Sequence, residues 1–267
     1  MTATIVGEAD VVARTPILEL RGVSKRFGAV QALTDVDFDV YAGEVVALVG
    51  DNGAGKSTLI KAIAGTYVVD SGEVRFVGQP VKVTSPQVAN ALGIATVYQD
   101  LSLCDNLDVV ANLYLGRESV DPTHVLLDEL TMERESVALM QRLAVRIPSV
   151  RIPVAELSGG QRQSIAVARA TLGSPKVVVL DEPTAALGVV QTAQVLELIR
   201  TLRAENLGVV VVSHNLADVF EVADRIVVMR LGRQVATFQI GAVTRAEVVA
   251  AITGATSINE ANEDDLA

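Results

Sequence analysis

Between Ile17 and Val83, apolar and polar residues alternate in short stretches such as Ile17-Leu18-Glu19-Leu20 and Val36-Asp37-Phe38-Asp39-Val40, broken by Gly28, Gly43, Gly72 and Gly78. A period of two with glycine punctuation predicts a small antiparallel sheet. Three other stretches do not alternate. Val45 to Val49, Val177 to Leu180 and Val209 to Val212 are short, apolar and mostly β-branched, the pattern of parallel strands covered on both faces. Helical spacing follows each of them, over Ser57 to Ala64, Val190 to Ala204 and Leu216 to Ala223, and a further helix runs from Ser158 to about Leu172. Strands alternating with helices predict an α/β core around a parallel sheet. A hairpin is expected around Leu231-Gly232.

From Gln99 to Pro153 the pattern changes to charged and aliphatic residues at helical spacing, clearest over Met132 to Leu143. This predicts a helical subdomain inserted at about 99–156 within one domain of residues 17–253. Residues 1–16 read as a flexible arm, and 254–267, with Glu260-Ala-Asn-Glu-Asp-Asp, as an acidic, flexible tail.

The chain has 267 residues, half of them hydrophobic, enough for a sizeable core without disulfides. Its single cysteine, Cys104, is assigned no role, and neither is His124 in its loop. A net charge of -10 with 3% aromatic residues argues against gripping a phosphate backbone or stacking on bases, so nucleic acid is not an expected partner. No apolar stretch approaches the ~20 residues a membrane span requires.

The chemistry begins at Gly50-Asp51-Asn52-Gly53-Ala54-Gly55-Lys56-Ser57, which fits the phosphate-loop pattern G-x-x-x-x-G-K-[ST] between an apolar strand and a helix. Glycines let successive backbone N–H groups wrap phosphate oxygens, Lys56 adds a point charge, and the Ser57 hydroxyl is suited to magnesium. A turn that merely joined strand to helix would not need Gly-Lys-Ser there. The strand Val177 to Leu180 ends in Asp181-Glu182, at the edge where open α/β sheets bind ligands. Asp181 is placed to hold the magnesium shell and Glu182 to polarise an attacking water.

Leu157-Ser158-Gly159-Gly160-Gln161 resembles the LSGGQ signature of ABC ATPases, and the family's other landmarks stand in order around it. The resemblance covers residues 17 to 240. It implies a P-loop NTPase core with an N-terminal antiparallel β subdomain and an inserted helical subdomain, binding ATP and Mg2+. It implies that Phe27 stacks on adenine, that Gly50 to Thr58 cradle the phosphates, and that Gln99, as the Q-loop glutamine, serves the metal and hydrolysis. It also implies that His214 contacts the γ-phosphate and the attacking water. Ser158, Gly159, Gly160 and Gln161 would close over the ATP of a second subunit, in a homodimer or heterodimer. From the residues alone, Ser158 can also be read as an ordinary helix cap, His214 as a structural histidine and Phe27 as a core ring.

Within the family the chain is similar to ATP-binding subunits of bacterial monosaccharide importers. The similarity lies in Gly50 to Thr58, Val97-Tyr98-Gln99-Asp100-Leu101, Asn112 to Glu118 and Ile252-Thr253-Gly254-Ala255. This implies a polytopic permease partner, an indirect link to a sugar-binding protein and a peripheral place on the cytoplasmic face of the membrane. A soluble ABC ATPase acting on ribosomes or DNA repair complexes is the competing reading, disfavoured by the acidic charge. Two departures stand out. Many of those subunits carry two ATPase halves, and this chain has one set of motifs. Where the family commonly has Ser-Ala-Leu-Asp, this chain has Ala185-Ala186-Leu187-Gly188. Gly188 is there either because the turn needs a positive φ, or at the expense of a carboxylate linking the two composite sites.

Overall fold

A computed structural model describes residues 15–121 and 126–255. Nearly all of the arm, His124 and nearly all of the acidic tail lie outside these residues. Two sheets form the frame. The first is antiparallel, with strands β1 (Leu18–Phe27), β2 (Val30–Val40), β4 (Ser71–Phe76) and β5 (Gln79–Val81) in the order β2-β1-β4-β5. The second has the order β10-β9-β3-β8-β7-β6, from β3 (Val45–Gly50), β6 (Ile94–Val97), β7 (Val177–Asp181), β8 (Gly208–Val212), β9 (Arg225–Arg230) and β10 (Arg233–Gln239). All its neighbours pair in parallel except β10 with β9. In the turn that joins those two, Leu231 and Gly232 both have positive φ, 48° and 75°. That is the two-residue hairpin turn whose twist matches its strands.

The helices are α1 (Lys56–Ile63), α2 (Pro86–Leu92), α3 (Val109–Tyr114), α4 (Glu129–Arg142), α5 (Gly159–Thr171), α6 (Val189–Ala204), α7 (Leu216–Val222) and α8 (Arg245–Thr253). Three elements go beyond the expectation: α2, β6 and α8. Helix α2 starts on Ser85, whose hydroxyl accepts from Val88 N at 3.3 Å, with Pro86 at the first helical position and Gly93 closing the end in the left-handed region. Helix α8 opens with a capping box between Thr244 and Glu247.

Alternate residues of the parallel strands serve different sides. Val45, Ala47 and Val49 pack with Val178, Leu180, Val209 and Val211 against α5, α6 and the helical segment, through Val109, Leu113 and Met140. Val46 and Leu48, with Val177, Val179, Val210 and Val212, face α1 and the antiparallel sheet, through Leu59, Ile60, Leu20 and Phe38. Full burial of each such side chain contributes about 1.5–3 kcal/mol, so a one-residue slip in register would cost both cores. At the opposite edge from the phosphate loop, the buried Arg225 forks onto Glu44 Oε1 and Oε2 at 2.8 and 3.1 Å and reaches Asp39 at 2.8 Å. It thereby fastens β9 and β3 to β2 of the other sheet.

Candidate active site

Parallel pairing fixes the site. Because β3, β8, β7 and β6 are neighbours running the same way, their C-terminal ends lie along one edge. β3 ends in the loop Gly50 to Gly55, β8 continues into Ser213-His214, β7 ends at Asp181 before Glu182, and Gln99 lies two residues beyond β6. Four motifs far apart in sequence therefore meet at that edge.

The loop depends on two glycines. Gly50 has φ 152°, and a Cβ there would lie 2.2 Å from Met229 O. Gly55, with φ 103°, would bring a Cβ to 2.9 Å from Ala32 O. Side chains are excluded from both, so the backbone itself lines the cleft. That cleft, about 380 Å³, is bounded by Asn52 to Thr58 with Val30 to Ala32 and Leu231-Gly232. Ala54 is buried beneath it, and its carbonyl accepts from Gly232 N at 3.0 Å, so the β9–β10 turn supports the loop. Asp51 Oδ1 accepts from Asn52 N at 2.7 Å.

Lys56 donates to Gly50 O at 2.8 Å and to Asp51 O at 3.0 Å, which holds its ammonium over the loop. Burial pulls its pKa down, opposed by the charges of Glu182, Asp51 and Asp181. For Asp181, burial and then Glu182 push the pKa up, against Lys56 and Lys61. Ser57 is exposed in the first turn of α1, and Thr58 is half-buried behind it.

Glu182 has φ 52° and donates its backbone N–H to Val212 O at 2.9 Å. A glutamate in the left-handed region costs roughly 1–3 kcal/mol, which the surrounding structure must supply. The result is orientation. Its Oε2 lies 2.8 Å from His214 Nδ1, with Glu182 17% and His214 74% exposed. So exposed a histidine is not a core residue. The turn after Glu182 is held in turn by Thr184, whose hydroxyl donates to Asp218 at 2.6 Å. Phe27 is likewise no core ring: it is 41% exposed at the end of β1, ahead of Gly28. Gln99 is exposed in its loop.

The signature stands apart from this cleft. Ser158 caps α5 through a capping box, its Oγ accepting from Gln161 N at 3.3 Å and its N–H donating to Gln161 Oε1 at 2.9 Å. The Gln161 amide also donates to Arg146 O at 3.0 Å, so both ends of that side chain are engaged within the chain. Gly159 and Gly160 pack against Leu187 and Gln191, where a Cβ would lie 3.2 and 2.7 Å away. Gly188 has φ -76° and ψ 168°, ordinary extended backbone, so a positive φ does not explain its glycine. The valines that follow are open to solvent, Val189 at 89%.

Arg169 was not singled out from the sequence. It reaches from α5 to donate to Leu101 O and Ser102 O at 3.0 and 2.8 Å, tying the signature helix to the segment after Gln99. A lone arginine among small residues in Ala166 to Thr171 was the available signal. Beside it lies a groove of about 440 Å³ lined in part by Tyr98, Asp100, Leu115, Arg117 and Arg169.

A strand, phosphate loop and helix beside a carboxylate-tipped strand define a P-loop nucleoside triphosphatase. The ABC transporter family model matches residues 33–185. The fructose import ATP-binding protein FrcA of Rhizobium meliloti is 47% identical over 250 residues, 91% of this chain and 96% of that one. The xylose/arabinose import ATP-binding protein XylG of Sulfolobus acidocaldarius is 49% identical over 217 residues, 81% of this chain and 86% of that one. Among solved structures, the ADP conformation of an ATP-binding cassette of an ABC transporter superposes with a TM-score of 0.75 at 25% identity, covering 90% of this chain and 95% of that one. The chain belongs to the ABC transporter family and is an ATP-binding, ATP-hydrolysing cassette. The match to nearly all of FrcA shows that a single set of motifs is a form the family uses.

Proposed function

We propose that the chain hydrolyses ATP to drive uptake of a monosaccharide through a separate polytopic permease, as a peripheral subunit on the cytoplasmic face of the membrane. A sugar-binding protein on the other side delivers the cargo. The observation that carries this reading is the 47% identity to a fructose import subunit along almost the whole of both chains. No helix among the described residues is long and apolar enough to cross a membrane; in this reading a partner supplies the transport path. The groove beside Arg117 and Arg169 is where that permease would seat a helix.

Two ATPase subunits, alike or different, act together, with Ser158, Gly159, Gly160 and Gln161 of one facing the nucleotide on the other's loop. Supporting this, Ser158 and Gly159 are exposed, and none of the four lines the phosphate cleft of their own chain. At each site Gly50 to Thr58 hold the phosphates, Phe27 the adenine, and Glu182 orients the attacking water with His214 against the γ-phosphate. A hydroxyl, a carboxylate and an amide oxygen, from Ser57, Asp181 and Gln99, fit Mg2+, which takes few protein ligands beside phosphate and neutralises charge there. Burial and a neighbouring carboxylate disfavour the bare charge of Asp181, a penalty that a divalent cation held there would offset.

The deciding experiment is uptake of labelled pentoses and hexoses by cells lacking this gene, with and without a plasmid copy. Loss of uptake for one sugar, restored by the parental copy and not by Glu182→Gln, is the expected result. Unchanged uptake of every sugar, with the protein bound instead to ribosomes or DNA repair complexes, would overturn it.

A further inference from the structure

The adenine reading leaves open what fixes Phe27 at a set distance from the phosphate loop. Phe27 sits on the antiparallel sheet, whereas the phosphates are held by β3 and α1. A nucleotide bridging them needs the two parts in register, because a base contact displaced by about 1 Å loses much of its worth. Pairing with Val30 of β2, across a turn whose Gly28 has φ 56° and open space around it, holds the backbone of Phe27 but not its ring. A restraint on the ring comes from residues 67 to 70, the segment leaving the phosphate-loop helix.

That segment touches the Phe27 region twice. The Tyr67 ring meets the Phe27 ring in an edge-type contact, centroids 4.9 Å apart and planes at 69°. Three residues on, Asp70 Oδ1 accepts from Lys25 Nζ at 2.7 Å and Oδ2 from Arg26 N at 2.7 Å. The lysine so held lies over the Phe27 ring, 5.5 Å from its centroid. Asp70 thus pins the backbone just before Phe27 and places a cation on one face of the ring. Tyr67 is itself tied back to α1: its N–H donates to Lys61 O at 3.1 Å, and the Lys61 ammonium lies 5.6 Å from its ring centroid. The same two hydrogen bonds hold the Asp70 carboxyl below the usual range, so it is ionised at neutral pH.

We infer that Tyr67 and Asp70 are positioning residues for the nucleobase, a strut from the phosphate-loop helix that holds the Phe27 ring where a purine attached to a loop-bound triphosphate can stack. The inference rests on the reading of Phe27 as the base platform. It makes the strut serve base and phosphate jointly, so a ligand without a base does not sense it.

The test measures binding of ATP and of inorganic tripolyphosphate to the full-length protein by calorimetry without added metal, for Phe27→Ala, Tyr67→Ala, Tyr67→Phe and Asp70→Asn. Tyr67→Ala and Asp70→Asn are expected to weaken ATP about two- to tenfold, the worth of one aromatic pair, and to leave tripolyphosphate unchanged. Tyr67→Phe, which keeps the ring, binds both as the parent does. If Phe27→Ala weakens ATP while Tyr67→Ala and Asp70→Asn do not, the strut is refuted and the platform stands. Unchanged ATP binding in Phe27→Ala refutes the platform itself. Equal weakening of both ligands by Tyr67→Ala or Asp70→Asn marks general damage to the loop and also overturns the inference.

Discussion

Glu182 spends conformational strain on being aimed, and its 2.8 Å approach to His214 sets the first prediction. Glu182→Gln keeps the shape and loses the base, so ATP binding should persist while turnover falls by about a hundredfold or more; near-parental phosphate release would remove Glu182 from its role. Asp181 tells the complementary story. Its pKa is raised in the fold, so its ionised form is disfavoured there: the group contributes most at acid pH, and that contribution is lost as pH rises through the folded pKa. Asp181→Asn should therefore raise Tm at neutral pH while abolishing magnesium-dependent hydrolysis, and its advantage in Tm over the parent should shrink on acidification. A lower Tm at pH 8 would contradict the assignment. At Gly188 the extended backbone leaves the missing carboxylate as the sharper explanation. An added Cβ meets only the Gln191 side chain, its amide oxygen 2.6 Å away at the end of a flexible chain. Gly188→Ala should thus behave as the parent, whereas Gly188→Asp should shift steady-state hydrolysis by more than about twofold, roughly half a kcal/mol. Identical kinetics in both variants would end the coupling idea.

Among the elements, α5 serves two ends: its N-terminus carries the signature and its Arg169 holds the segment after Gln99. Because Ser158 is also a cap, Ser158→Ala removes about 1 kcal/mol of helix stability along with any contact to a neighbour. Ser158→Asp separates the two. Asparate caps equally well but brings a negative charge toward a phosphate, so this variant should keep the parental Tm and monomer ATP affinity and lose ATP-driven dimerisation, measured by light scattering. Lys56→Ala should instead lose affinity already as a monomer. The parallel strands and the motifs at their ends were legible because apolar runs and spaced glycines carry their own signals. Strand β6 was not, since Ile94 to Val97 is four residues long and its pairing partner β7 lies some 80 residues on. The ends of α2 and α8 were written in Ser85-Pro86 and in Thr244 with Glu247, short caps easily passed over beside weak periodicity. The Phe27 strut was hidden for another reason: Tyr67 and Asp70 gain meaning only when folding brings them to β1.

For the whole molecule, the acidic chain carries Arg117 and Arg169 together on one groove, and the exposed one is open to test. Arg117→Glu should leave ATP binding by the isolated subunit intact and reduce copurification with the permease several-fold, whereas undiminished recovery would place the permease elsewhere. The parallel sheet divides the molecule between two obligations. Val46 and Leu48 back the side that handles the nucleotide, a ligand that does not vary from one transporter to the next. Ala47 and Val49, their immediate neighbours, back the helical side, to which the proposed reading assigns the partner. On that reading, a change confined to one face alters which permease the subunit fits while leaving its handling of ATP as it was.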